Sequence, residues 1–192
     1  GKPIINLLPL EKDESNNAIL PVKEYTYDQI VFMVTSSGTC KKTSLQNFSR
    51  PRKGGIIAIE LRDDDKLVGV EITAGEHDIL LFSSAGKSIR FRESDVRSVG
   101  RTAIGVRGIR LVNNDRVVSL IVAESSDPIL TATEKGYGKR TLLDEYRAQA
   151  RGGSGVISIK TSDRNGQVVG AIQVTDELSL IHISEPTRQQ GI

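Results

Sequence analysis

Short runs of alternating apolar and polar residues, closed by Gly, Asp, Asn and Ser, follow one another along most of this chain. The stretch "SSAGKSIRFRESDV" (83–96) shows the type. After the turn glycine Gly86, Ile89 and Phe91 fall on one face and Arg90 and Arg92 on the other, the period-two alternation of a half-buried strand. No segment carries a sustained helical stripe, and "LQNF", "ESDV" and "LDEY" offer at most a turn of helix after a basic strand.

The pattern recurs. Gly55, Gly105 and Gly155 stand 50 residues apart, each ahead of a predicted apolar strand: "IIAIEL", "VRGIRL" and "VISIKT". Turns rich in Asp and Asn follow, then "LVGVEI", "VVSLIV" and "VVGAIQV". A further strand runs into Gly38, Gly86 and Gly136, spaced by 48 and 50 residues, and a basic strand leaves each of them. A four-stranded unit of about 45–50 residues is the size of a propeller blade, which buries both sheet faces only by stacking on its neighbours. The fold predicted is all-β, an incomplete propeller-like array of about three full repeats with portions of a further two. Residues 1–17 read as the end of a preceding blade, 18–66, 67–116 and 117–167 as the three repeats, and 168–177 as the start of a further one. Residues 178–192 read as a tail foreign to the pattern.

Charge adds to this picture through its distribution, because the net charge is only +2. From Ser36 to Gly55 there are Lys41, Lys42, Arg50, Arg52 and Lys53 and no acid. Ser84–Arg110 holds seven cations against Glu93 and Asp95, and Lys135–Lys160 holds six against Asp144 and Glu145. Lys42, Arg90 and Arg140 each lie four residues after a turn glycine; Arg101 and Arg151 each lie four before a strand glycine. Solvated charge explains any one of these residues but not the same sign at the same phase. In a radial array, in-phase positions share a rim, and a cationic rim suits a polyanion. Duplex DNA carries one charge per about 1.7 Å of its axis. We expect Lys42, Arg90 and Arg140 to lead the phosphate contacts, joined by Arg50, Arg52, Arg92, Arg101 and Arg151 and by Lys41, Lys53, Lys87 and Lys139. No recognition helix and no cluster of Asn or Gln accompanies them, so the binding expected is to the backbone, with bendability setting any preference. Scarce aromatics argue against single strands.

Candidate chemistry is thin. "AGKS" (85–88) resembles the end of a phosphate-binding loop, but Leu81 stands where that motif needs glycine and a strand follows. "GYGK" (136–139) reads as a turn. Asp63–Asp65 reads as a solvated acidic turn, thinning to "NND" and "SD" in the later copies. His77 and His182 have no ligand spacing, and Cys40, the single cysteine, fits a reducing compartment. No residues converge as nucleophile and base, and there is no apolar run near 18 residues and no leader pattern. The expectation is therefore no catalytic residue, no cofactor or metal, no membrane, and a cytoplasmic location.

The segments "NLLPL", "AILPV", "GVRGIRL", "VVSLIV", "ILTATEKGYGKRT", "GVISIK" and "RNGQVVGAIQV" closely resemble the C-terminal DNA-wrapping domains of the bacterial DNA gyrase A proteins, over residues 1 to about 177. The resemblance implies a β-pinwheel, a propeller-like disc of about six blades that exchange strands, with DNA bent around its basic perimeter. It also implies partners: duplex DNA, the rest of the gyrase A chain, and gyrase B in an A2B2 holoenzyme that introduces negative supercoils with ATP and Mg bound elsewhere. The family's Gln-Arg-Arg-Gly-Gly-Lys-Gly box, its catalytic tyrosine and its winged-helix core find no match here. The expectation is thus a fragment that binds and bends DNA without completing the wrap. "LSLIHISEPTRQQGI" departs from the family pattern. The alternative reading is a protein-interaction propeller whose rim docks an acidic partner.

Overall fold

The computed structural model describes residues 17–52 and 54–175, so the expectations for residues 1–16, for Lys53 and for the tail from 176 onward lie outside the described residues. Eleven strands are present among them: β1 (Ile30–Thr35), β2 (Thr39–Ser44), β3 (Leu67–Thr73), β4 (Asp78–Ser83), β5 (Lys87–Arg92), β6 (Val106–Arg107), β7 (Val117–Ala123), β8 (Ile129–Thr133), β9 (Gly138–Thr141), β10 (Val156–Ile157) and β11 (Val168–Gln173). Single-turn 3-10 helices at Leu45–Phe48, Glu93–Asp95 and Leu143–Glu145 are the turns of helix expected after each basic strand. The fold is all-β.

The strands form three antiparallel sheets in the orders β3-β1-β2-β6, β10-β5-β4-β7 and β11-β8-β9. Each is centred on a hairpin whose turn holds Gly38, Gly86 or Gly136. The outermost strand comes from the following repeat: β6 pairs with β2, Cys40 opposite Val106, and β10 pairs with β5, Ser88 opposite Val156. Each sheet therefore draws on more than one sequence repeat. The long apolar strands expected after Gly55, Gly105 and Gly155 are corrected by this arrangement. The second and third shrink to two paired residues that clip onto the preceding sheet. "IIAIEL" forms no strand, because no preceding sheet among the described residues offers it an edge.

Alternation along the hairpins builds the core between sheets. Phe32 and Val34 of the first sheet meet Ile79, Leu81, Ile89 and Phe91 of the second. Leu80 and Phe82, on the second sheet's other face, meet Ile129 of the third, together with Leu143 and Tyr146. Burial of each such side chain stabilises by about 1.5–3 kcal/mol. The strands β3, β7 and β11 pack side by side, with Gly69 against Leu120 and Gly170 against Ser119.

Two turn glycines lock the sheets together. Gly38 O accepts hydrogen bonds from the N–H groups of Gly108 (2.8 Å) and Ile109 (3.3 Å); Gly86 O accepts from Ser158 (2.9 Å) and Ile159 (3.2 Å). Both glycines are left-handed, at φ 84° and 82°. A β-carbon would lie 2.9 Å from Ile109 O in the first case and 2.1 Å from Ile159 O in the second. Only glycine allows this approach.

Candidate nucleic-acid interface

Lys41 and Lys42 on β2 and Arg90 on β5 turn their charged ends toward neighbouring segments. Lys42 is buried and its Nζ donates to Glu93 O at 3.1 Å. The Nε and Nη2 atoms of Arg90 reach Asp78 Oδ2 at 2.8 and 2.5 Å, and Nη1 donates to Leu143 O and Tyr146 O at 2.8 and 3.2 Å. Those carbonyls belong to the short helix of the following repeat and to the residue that ends it. A long cation at this phase therefore caps the neighbour's chain. Lys41 is wholly buried, with Nζ donating to Ala58 O (2.7 Å) and to Arg101 O. Burial, with the nearby Arg101 charge, pushes its ammonium down to about 8.

The expectation that Lys41, Lys42 and Arg90 lie open on a rim meets a different arrangement: all three bond backbone carbonyls of other segments and hold one repeat to the next. Arg140, at the same phase on β9, is exposed.

The remaining predicted residues divide. Arg101 Nη1 donates to Ile57 O at 2.9 Å, and Arg151 Nη1 donates to the equivalent carbonyl, Arg107 O, at 3.2 Å and its Nε to Asp95 O at 2.8 Å. Both are half-buried ties to the preceding repeat. Lys87 is half-buried. Arg50, Arg52, Arg92 and Lys139 are exposed; Arg92 pairs with Asp78 Oδ1 at 3.1 Å and Lys139 Nζ donates to Ser158 O at 3.1 Å.

A second set of cations takes the outer position. After the second and third short helices the chain crosses the basic strand of the preceding repeat, with Val99 N–H bonding Lys42 O (2.9 Å) and Gln149 N–H bonding Arg90 O (2.8 Å). The crossing segments display Arg97 and Arg147 to solvent, and Arg110 and Lys160 are exposed further along. These two pairs are in phase. Arg107, exposed on β6, joins Arg110 and Arg62 around an open groove that also includes Ser37, Thr39 and Leu111. Their fifty-residue spacing was the available signal; reading phase from the turn glycine alone favoured the strand over the segment that covers it.

The acidic turn also differs from expectation. Asp63 and Asp64 are exposed, but Asp65 accepts from Ser36 Oγ (2.8 Å), Ser37 N (2.9 Å) and Ser37 Oγ (2.5 Å). Burial opposes its ionisation, yet hydrogen bonds from Ser37, Thr35 and Ser36 outweigh that and hold its carboxyl below the ordinary value. Asp115 repeats the clamp on Ser84 Oγ and Ala85 N, both at 2.9 Å. Among the described residues no group of three metal-ligating side chains is placed to hold an ion, and no helix is long and apolar enough to cross a membrane.

Residues 29–74, 77–124 and 127–175 match the sequence model of the family described as DNA gyrase C-terminal domain, beta-propeller. The DNA gyrase A protein of Salmonella typhimurium is 58% identical over 176 residues, and that of Escherichia coli K12 is 56% identical. Each alignment covers 92% of this chain and 20% of the relative, so the chain spans about a fifth of their length. Among solved structures, the C-terminal domain of a DNA topoisomerase IV superposes with a TM-score of 0.85 at 30% identity, covering 92% of this chain and 55% of that one. A DNA gyrase A C-terminal domain gives 0.81 at 30% identity, covering 91% and 58%.

Proposed function

The chain belongs to the family of DNA gyrase C-terminal β-propeller domains, and from that premise we propose that it binds and bends duplex DNA through the phosphate backbone. The observation that carries this reading is the recurrence of exposed cations at a fifty-residue spacing, Arg97 with Arg147 on segments that cross successive sheets and Arg110 with Lys160 further along. Arg107, Arg92, Arg50, Arg52, Lys139 and Arg140 are also exposed, and in this reading they add phosphate contacts. Cations held at a regular spacing release counterions from a polyanion at each contact and need no base readout. Lys41, Lys42, Arg90, Arg101 and Arg151 serve indirectly, by fixing the crossing segments.

In this reading the segment acts within an assembly of gyrase A and gyrase B chains, in the cytoplasm. It presents bent DNA to a cleavage core elsewhere, where ATP and Mg also act, and the whole introduces negative supercoils. The test is a salt titration of DNA binding. Neutralising about six to eight phosphates gives a log–log slope of about −5 to −7, equal for unrelated duplex sequences. A slope near zero, or saturable binding to an acidic protein without bending of linear DNA, overturns the proposal.

A further inference from the structure

Three arginines surround one groove where the second repeat clips onto the first sheet, and we propose that this groove is a binding site for a condensed phosphate chain, free or carried on a small molecule. Its volume is about 530 Å³, within the usual range of small-ligand sites. Arg62, Arg107 and Arg110 line it with Ser37 and Thr39, and no carboxylate does. Among the described residues none of the three guanidinium groups has a hydrogen bond or an ion pair. Like charges around one space repel. An anion with two or more charges relieves that repulsion and accepts several charge-assisted hydrogen bonds at once.

The walls of the groove are fixed by the fold itself. On one side Asp65 clamps the hairpin turn, accepting from Ser37 N at 2.9 Å and from Ser37 Oγ at 2.5 Å. On the other, Arg107 pairs with Thr39, the N–H groups of Gly108 and Ile109 bond Gly38 O, and Arg110 N–H bonds Gly153 O at 2.8 Å. A ligand therefore has only the three arginine side chains to order, which keeps the entropic cost of binding low. Val106, Ile109 and Leu111 add apolar surface to the lining, suited to the body of a phosphorylated molecule.

The set does not recur at the next joint. Fifty residues on, Arg62, Arg107 and Arg110 are replaced by Val112, Ile157 and Lys160, and Ala85 takes the place of Ser37 in the second hairpin turn. Val112 and Ile157 are exposed, so the second joint offers apolar surface where the first offers two guanidinium groups. Cations that only track a long polyanion repeat from joint to joint, as Arg97 does with Arg147; a site for one discrete anion is needed once. The inference does not rest on the DNA-binding reading, in which Arg62 has no part.

Isothermal titration of the chain, without DNA and with a chelator present, tests the site with sodium triphosphate, cytidine triphosphate and orthophosphate at one fixed ionic strength. The expected result is a single site that holds triphosphate at least about ten-fold tighter than orthophosphate. Equal affinity for the two triphosphates identifies the phosphate chain alone as the ligand; tighter binding of the nucleotide shows that the apolar lining takes its nucleoside. Arg62→Ala should weaken triphosphate binding about ten-fold, with part of the loss restored in Arg62→Lys. Arg62 is exposed, so its unfolding midpoint should stay at the wild-type value. Arg147→Ala removes the same charge from a residue that does not line the groove and should leave triphosphate binding unchanged. Several equivalent sites, equal losses in Arg62→Ala and Arg147→Ala, or no binding of triphosphate each overturn the inference. Any of these alongside an intact salt slope for DNA strikes this site and leaves the DNA reading standing.

Discussion

Lys41 shows how one buried cation is tolerated. Its ammonium hydrogen-bonds the carbonyl oxygens of Ala58 and Arg101 in place of a carboxylate. The folded state therefore prefers the neutral amine more than the unfolded chain does. The group falls from its ordinary 10.5 to about 8 on folding. Below about pH 8 both states hold the proton and the cost of burying it is constant. Between about 8 and 10.5 the unfolded chain binds more protons, so stability rises with pH. Urea unfolding across that window should show the wild type gaining on Lys41→Met; a gap that is flat or moves the other way would refute the account. Nothing in "TCKKTSL" distinguishes Lys41 from Lys42 as buried or exposed, because alternation assigns faces but does not reveal that both faces of β2 are covered.

At the scale of the element, the turn glycines separate backbone conformation from contact. Gly86 and Gly136 occupy equivalent turns with nearly the same φ, 82° and 79°. Alanine at Gly136 meets nothing within 4 Å among the described residues and should cost the left-handed penalty, about 1–2 kcal/mol. Alanine at Gly86 meets Ile159 O at 2.1 Å and must also push one repeat away from the next. Chemical denaturation should therefore place Gly86→Ala below Gly136→Ala in stability, by more than the conformational penalty alone; equal values would show that the joint is slack. The hairpins, the turn glycines and the short helices were legible because each is encoded within one repeat. The exchanged strands were not, since two residues such as Val106–Arg107 carry no period of their own and their partner lies in another repeat.

Across the whole molecule the same sign recurs at the same phase, but phase does not tell an outer surface from an inter-repeat joint. That difference can be measured. Arg97→Glu with Arg147→Glu should weaken DNA binding regardless of sequence and leave the unfolding midpoint nearly unchanged. Arg90→Ala should do the reverse. It strips the buried Asp78 of one partner and frees the carbonyls of Leu143 and Tyr146, a loss of about 3 kcal/mol in unfolding experiments. If Arg90→Ala lowers DNA affinity and spares stability, the assignment of the two sets is inverted.

Strand exchange also has a consequence for biosynthesis. The first hairpin ends at Ser44, yet its outer edge waits for Val106 and Arg107, and Lys41 finds Arg101 only 60 residues later. A nascent chain leaving the ribosome therefore carries one unfinished sheet at every moment, sealing each only as the next repeat emerges. Translation that stalls between repeats leaves a bare edge for as long as the pause lasts, which makes the tempo of elongation itself a determinant of whether this array matures or aggregates.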